Sequence, residues 1–175
     1  AHAIESYVST KRNEISRMFS RQAWALLSRS FEQVLSGEAT VDERGDMLLG
    51  AHLAGAAIEA SMLGAAHACA NPLTAKYGIT HGVAVGLMLP TVIRFNSETG
   101  LYDGLDTRRA STDDIANWVE ALALEAGLPS SLSEAGIEES DRPELAKLAG
   151  DEWTGTFNPR PLEVKDFETL YCSAF

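Results

Sequence analysis

Apolar residues recur every three or four positions along most of this chain, which is the spacing of one face of an α-helix. The segment 13–35 follows this period and is closed by Gly37, a residue typical of helix C-termini. A further amphipathic helix is predicted in 111–129, and two shorter ones in 141–153 and 162–175. No useful length of strand-like alternation occurs. The pattern therefore predicts a single all-α helical bundle.

The segment 47–70 is nearly uncharged, with Glu59 as its only formal charge. Its length alone would permit a membrane span. However, alanine and glycine predominate over larger aliphatic residues, and the segment includes His52 and His67. We therefore predict a helix that begins near Asp46 and, being apolar nearly all round, lies buried in the centre of a bundle.

Two further boundaries are predicted downstream of this helix. Asn71 and Pro72 are placed to cap and to start a new helical turn. Thr80 is placed as the N-cap of another helix, with His81 in its first turn. Pro90 should kink that helix, because proline removes a backbone donor and its ring crowds the preceding turn.

Charge and composition limit the classes of partner and the cellular compartment that we predict. The net charge is −11, from 25 acidic and 14 basic residues. This balance disfavours nucleic acid and anionic membranes, whose phosphates bind to basic surfaces. Cys69 and Cys172 are too few for a disulfide scaffold and fit a reducing compartment, and no secretory signal is visible, so we predict a cytoplasmic protein.

The domain prediction is one helical domain over 1–175, a length typical of a single core. Its start is unusual, since His2 and Glu5 already lie in a helical pattern with no cap before them. This predicts that the chain is a fragment of a longer protein.

Four histidines are candidates for chemistry, because neutral imidazole is the commonest nitrogen donor to Zn²⁺ or Fe²⁺. His67 and His81 lie at helix ends around one turn, where they can converge, and Gly82 leaves room for a metal or a substrate. His52 is about four turns from His67 and is assigned to packing. Taken singly, each histidine is better explained as a packed or surface residue than as a ligand, and it is the placement of His67 and His81 that favours a metal site.

Several established motifs are absent from the sequence, including HExxH, CxxC, GxSxG, the P-loop and the dinucleotide loop GxGxxG. No histidine follows a glutamate by three positions, which excludes the usual di-iron bundle. Cys69 is a conceivable nucleophile, but it faces away from His67, and a buried structural thiol is the preferred interpretation.

Three stretches carry a family resemblance: "HAIESYVS" (2–9), "AAHACANPLTAKYGITHGVAVGLMLPTVIRFN" (65–96) and "NPRP" (158–161). Together they resemble the C-terminal helical domain of iron-containing (group III) alcohol dehydrogenases, which have the dehydroquinate-synthase-like fold. The most specific part is a pair of histidines, His67 and His81, with thirteen residues between them, followed by glycine and an apolar run that ends in Leu-Pro. The resemblance spans nearly the whole chain, and 103–155 is its least diagnostic part.

The resemblance implies a catalytic divalent metal, usually Fe²⁺ and sometimes Zn²⁺, held by one aspartate and three histidines. The histidines map onto His2, His67 and His81. The aspartate would fall before Ala1. The resemblance also implies an upstream domain that binds NAD or NADP, so no cofactor-binding residue is predicted in this chain, and the fragment alone is expected to be inactive.

The implied substrates are small alcohols, aldehydes or ketones, and self-association into a homo-oligomer is a further expectation. Many members of the family carry a substrate-facing histidine where this chain has Asn71. We predict Asn71 as a substrate contact that can hydrogen-bond a hydroxyl but cannot shuttle a proton near neutral pH. Thr80, Phe157 and Asn158 are further candidates for the wall of the cleft.

Two other functions stay open on the sequence alone. One is a non-enzymatic helical scaffold or dimerisation module whose histidines are structural. The other is a three-histidine metal-binding protein that works without a nicotinamide cofactor.

Overall fold

The computed structural model describes residues 1–106, 108–109 and 111–175, and over these residues it contains α-helices and short 3₁₀ turns but no strand. The predicted all-α bundle is confirmed. The helices are α1 (His2–Val8), α2 (Glu14–Leu35), α3 (Val41–Glu59), α4 (Ala65–Tyr77), α5 (His81–Phe95), α6 (Thr112–Glu125), α7 (Arg142–Gly150) and α8 (Val164–Cys172), with 3₁₀ turns at Ser97–Thr99, Glu139–Asp141 and Trp153–Phe157.

Local sequence sets the ends of α2. At its start, the Asn13 side chain accepts a hydrogen bond from the Ser16 backbone N–H at 3.0 Å, and the Ser16 hydroxyl accepts one from the Asn13 N–H at 2.9 Å. This reciprocal capping box satisfies two donors that a helix start would otherwise leave free. Gly37 follows the helix with a φ of +79°, in the left-handed region that glycine adopts readily.

The prediction of one helix over 47–70 is wrong. Helix α3 begins earlier, at Val41, and stops at Glu59, and α4 begins only at Ala65. Contacts from elsewhere in the chain hold this break. The Asn13 side chain donates to the Ala60 carbonyl at 2.6 Å, and Gly64, with φ −153° and ψ −148°, lies outside the helical region.

The expected burial holds for α4 but not for α3. In α3 only Gly50, Ala54 and Ala57 are buried, whereas Leu48 is 76% exposed. Helix α4 is the central helix instead. Its buried face is formed by small residues and one leucine with no exposed surface, namely Ala65, Ala66, Ala68, Cys69, Ala70 and Leu73. Small side chains let neighbouring helices approach α4 closely.

Asn71 and Pro72 do not begin a helical turn as predicted, because both lie inside α4. The helix continues past them to Tyr77 and ends at Gly78, where φ is +67°. Pro72 is buried, so tertiary packing of α4 outweighs the backbone hydrogen bond that proline removes. By contrast, α5 begins at His81 directly after Thr80, as predicted.

The packing brings three helix starts together. Helix α2 packs along α3, α4 packs on α5 and α7, and α5 packs on α6, while α1 lies against α2 and α3. The first turns of α1, α4 and α5 are the part of this arrangement that positions the candidate site.

Over the described residues, every helix falls short of the length and apolarity needed to cross a membrane.

Candidate metal centre

Three of the four histidines meet at these helix starts. His2 is the first residue of α1, His67 lies in the first turn of α4 and His81 is the first residue of α5. The ring centroids of His2 and His67 are 5.1 Å apart, and those of His67 and His81 are 5.5 Å apart. His52 is exposed on α3 instead of packed as predicted.

The carboxylate of Glu5 is a site residue that the sequence analysis missed. Glu5 lies on α1 one turn after His2 and is only 3% exposed. Its Oε1 accepts a hydrogen bond from the Ala66 backbone N–H at 2.7 Å, and its Oε2 contacts His67 Nδ1. An acidic residue among buried positions of α1 was the available signal, since a buried carboxylate requires partners.

The ring of His81 also has its Nδ1 atom next to a protein side chain. Its Nδ1 lies 3.4 Å from the Thr74 hydroxyl oxygen on α4. In both His67 and His81, Nδ1 therefore faces a protein partner. The Nε2 atom of each ring is the nitrogen left for a metal, an arrangement typical of metal-ligating histidines.

The spacing of the rings suits a shared metal. Imidazole nitrogens lie about 2.1 Å from a bound zinc ion, which separates the ring centroids of two ligands by about 5 Å. In the described part of the chain, no group of three or more His, Cys, Asp or Glu side chains forms a ready metal site. Imidazoles are thus suitable donors, and the His2–His67 and His67–His81 separations suit a shared metal, but ligation would need the three rings to turn toward one point.

His2 is in the protonation state that ligation needs. Desolvation of its ring, followed by the neighbouring His67, lowers the pKa of His2 to about 4. The ring is therefore neutral at physiological pH, with a lone pair to donate.

The three histidines share the lining of a cavity of about 530 Å³. Most of its other walls are aromatic or aliphatic, and include Trp24, Leu27, Phe31, Val85, Leu89 and Trp118. Gly82 and Gly86 also line it, and a Cβ on either would meet no atom within 4 Å. The cavity therefore offers apolar surface and free space beside the imidazoles.

The other candidate residues lie apart from this cavity. The Asn71 side chain donates to Glu152 Oε2 at 2.8 Å, and neither residue lines the cavity. Thr80, Phe157 and Asn158 are also absent from its lining. A substrate contact by Asn71 stays a prediction.

Cys69 fits its predicted structural role. It has no exposed surface, and burial raises the pKa of its thiol, which keeps the thiol protonated and unreactive. Its carbonyl accepts a hydrogen bond from the Tyr171 hydroxyl at 2.7 Å, which joins α4 to α8.

Comparison with known proteins gives a consistent result. The C-terminal model of the Fe-containing alcohol dehydrogenase family matches residues 1–175. The 1,3-propanediol dehydrogenase of Citrobacter freundii is 30% identical in an alignment of 186 positions that covers 99% of this chain and 48% of that protein. The NADPH-dependent butanol dehydrogenase of Clostridium saccharobutylicum is 30% identical in an alignment of 185 positions that covers 97% of this chain and 47% of that protein.

A solved structure agrees with these relatives. The crystal structure of 1,3-propanediol oxidoreductase matches with a TM-score of 0.88 at 28% identity, over 99% of this chain and 49% of that one. The chain thus spans about half the length of the relatives that it matches. On the match along its whole length, the chain belongs to the Fe-containing alcohol dehydrogenase family, to whose C-terminal part it corresponds.

Proposed function

We propose that this chain is the metal-binding half of an iron-dependent alcohol dehydrogenase. In the whole protein, hydride would pass between an alcohol and NAD or NADP, with the nucleotide held mainly by a domain outside this chain. The observation that carries the proposal is the convergence of His2, His67 and His81 beside one cavity. The printed names of the relatives, a propanediol dehydrogenase and an NADPH-dependent butanol dehydrogenase, support this reaction class.

These three histidines would hold Fe²⁺ or Zn²⁺ through their ring nitrogens. When bound, such an ion supplies Lewis-acid chemistry, lowering the pKa of an alcohol hydroxyl or polarising a carbonyl. Neutral imidazoles suit this task because they donate lone pairs without cancelling the positive charge of the ion.

The remaining cavity residues would bind and orient the substrate. The apolar walls around Trp24, Leu89 and Trp118 would contact its hydrocarbon part and exclude water from the reacting end. Gly82 and Gly86 leave the space beside the histidines open. Asn71 lies one turn after His67, and its amide would reach a substrate oxygen only after leaving Glu152.

Metal loading of matched variants tests this function. The purified chain is loaded anaerobically with Fe²⁺ or Zn²⁺, dialysed and analysed for metal, alongside His67→Ala, His81→Ala and the control His52→Ala. We expect the wild type and His52→Ala to retain the same amount of metal. His67→Ala and His81→Ala should bind the metal at least about tenfold more weakly. The family resemblance implies a fourth ligand outside this chain, so the absolute affinity for metal is expected to be low. The test therefore rests on the difference between the variants and the wild type. Equal, negligible metal in all four proteins would instead support a helical scaffold with structural histidines.

A further inference from the structure

A buried carboxylate, that of Glu5, joins α1 to α4. Glu5 is buried, and both of its oxygens have partners on α4, the Ala66 N–H and the His67 ring. These partners lie 61 and 62 positions further along the chain. One side chain therefore touches both the first turn of a helix and a candidate metal ligand that the turn carries.

The contact with His67 selects the tautomer of its ring. An ionised carboxylate oxygen can only accept a hydrogen bond, so the proton must lie on Nδ1 of His67. In the neutral ring, Nε2 then has no proton and its lone pair is free. His67 is 4% exposed, so solvent does little to hold the ring in any other state.

The contact with Ala66 replaces a missing helix cap. The N-cap of α4 is Gly64, which has no side chain to accept from the first turn. Glu5 supplies that acceptor from another helix, and its negative charge is favourable at a helix N-terminus.

Gly64 makes room for this carboxylate. A Cβ at position 64 would lie 3.1 Å from Glu5 Oε1 and 3.4 Å from Asn158 Oδ1. Any side chain larger than hydrogen would therefore press on the carboxylate, and Glu5 and Gly64 act as a pair.

We propose that Glu5 is a positioning residue that fixes His67 in its Nδ1–H tautomer and holds the start of α4 with its second oxygen, in space that Gly64 leaves free. The consequence for metal affinity rests on the proposed function. The consequence for the tautomer of His67 does not, because it holds without a metal.

The test compares Glu5→Gln and Gly64→Ala with the wild type and with Glu152→Gln as the matched control. Glu152 also partners a side chain on α4, the Asn71 amide, and its loss leaves the Glu5 contacts intact. Gly64→Ala retains the carboxylate and only displaces it, so it remains informative where Glu5→Gln lowers stability. Circular dichroism and urea unfolding establish that each variant is folded.

The first readout is the ¹⁵N spectrum of labelled histidine in metal-free protein at neutral pH. We expect wild-type His67 to show a protonated Nδ1 and an unprotonated Nε2. A glutamine amide can donate as well as accept, so Glu5→Gln should move His67 toward the opposite tautomer. Gly64→Ala should change the same signals, whereas His52 and the Glu152→Gln protein should show no change.

The second readout is the affinity for Zn²⁺ alone, measured by competition with a chelating dye. We expect Glu5→Gln to weaken binding by about 10- to 100-fold, as loss of such a carboxylate partner does at other histidine sites. A His67 tautomer unchanged in folded Glu5→Gln and Gly64→Ala would overturn the inference. Weaker Zn²⁺ binding without any change in the His67 nitrogens would also overturn it, because Glu5 would then act through charge alone. A wild type that binds no Zn²⁺ but shows the expected tautomer shifts would refute the metal function and leave the role of Glu5 supported.

Discussion

Asn96 and Asn158 exchange two hydrogen bonds through their side-chain amides, each Nδ2 donating to the other residue's Oδ1 at 2.9 Å. Both residues are buried, at 1% and 3% exposure. The pair joins the end of α5 to the loop after the 3₁₀ turn at Trp153–Phe157, which also packs on α4. It therefore fixes the C-terminal part of the chain against the central helices.

Asn158→Ala should lower the free energy of unfolding by about 1–3 kcal/mol, because it leaves the buried Asn96 amide without its partner. Urea unfolding measures the change. The control is Asn117→Ala, an exposed asparagine that accepts from Arg94, where we expect a change within about 0.5 kcal/mol. A cost for Asn158→Ala no larger than that of the control would contradict a structural role for the pair.

Asp106 should contribute stability that is lost in acid. Its side chain is 2% exposed and accepts hydrogen bonds from the Trp24 indole and the Arg108 backbone N–H, both at 2.8 Å, and it pairs with Arg109. Burial by itself raises the pKa of Asp106, but these hydrogen bonds together outweigh burial and lower it.

Because the folded-state pKa of Asp106 is lowered, its contribution is present above the unfolded value of about 3.9 and disappears as the pH falls through the folded value. We expect Asp106→Asn to unfold at lower urea concentration at pH 7 and to lose less stability between pH 5 and pH 3 than the wild type. Acid sensitivity will persist, because hydrogen bonds from Tyr77 and Arg29 lower the pKa values of Asp141 and Asp46 respectively. Parallel stability curves for the two proteins would be evidence against the prediction.

Two glycines in α3 should respond oppositely to alanine. A Cβ at Gly50 would lie 2.8 Å from Leu27 Cγ and 3.3 Å from the Ala23 carbonyl oxygen, whereas a Cβ at Gly55 meets no atom within 4 Å. Gly50→Ala should destabilise the protein by about 1–3 kcal/mol through overpacking between α2 and α3. Gly55→Ala should stabilise it by up to about 1 kcal/mol through helix propensity. Thermal unfolding of both variants tests this prediction. If Gly50→Ala and Gly55→Ala both stabilised the protein, α3 would be able to shift away from α2.

The tryptophans offer a direct test of the cavity. Trp24 and Trp118 line it, whereas Trp153 does not. On titration with 1-hexanol, the indole N–H signals of Trp24 and Trp118 should move in the NMR spectrum, and that of Trp153 should stay unchanged. Gly86→Val should weaken binding about 4- to 15-fold, since its side chain takes the space of one or two methylenes at about 0.8 kcal/mol each. Gly55→Val is the control outside the cavity, and equal affinity for both variants would place the alcohol elsewhere.

Periodicity predicted α2 and α6 well, because each is an amphipathic helix with its own polar cap, Asn13 or Ser111. It failed at the boundary between α3 and α4, where long-range contacts decide. The break at 60–64 depends on the Asn13 side chain and on Gly64, and the expected break at Pro72 is overridden by packing. The Asn13 contact and the packing around Pro72 have no local sequence signal, and Gly64 is one of three glycines in the segment 47–70, so it does not mark the break by itself.

The histidines of the candidate site could be predicted from the sequence, but the side chains that orient them could not. The family resemblance singled out His2, His67 and His81, and the structure brings their rings together. The partners that orient side chains on α4 were missed. Glu5 and Glu152 are far from His67 and Asn71 in the sequence, and their pairing exists only after the helices have packed.

The contact between Glu5 and Ala66 also bears on the order of folding. Because its two ends are 61 residues apart, helix α4 gains an acceptor for its first turn only when α1 docks. Local helix formation is fast, and closure of such a long loop is not. Undocking of α1 would free the Ala66 amide, release the His67 ring and withdraw His2 in one event. The exchange rate of the Ala66 amide hydrogen therefore reports how often the native chain visits a state in which the histidine cluster is dismantled.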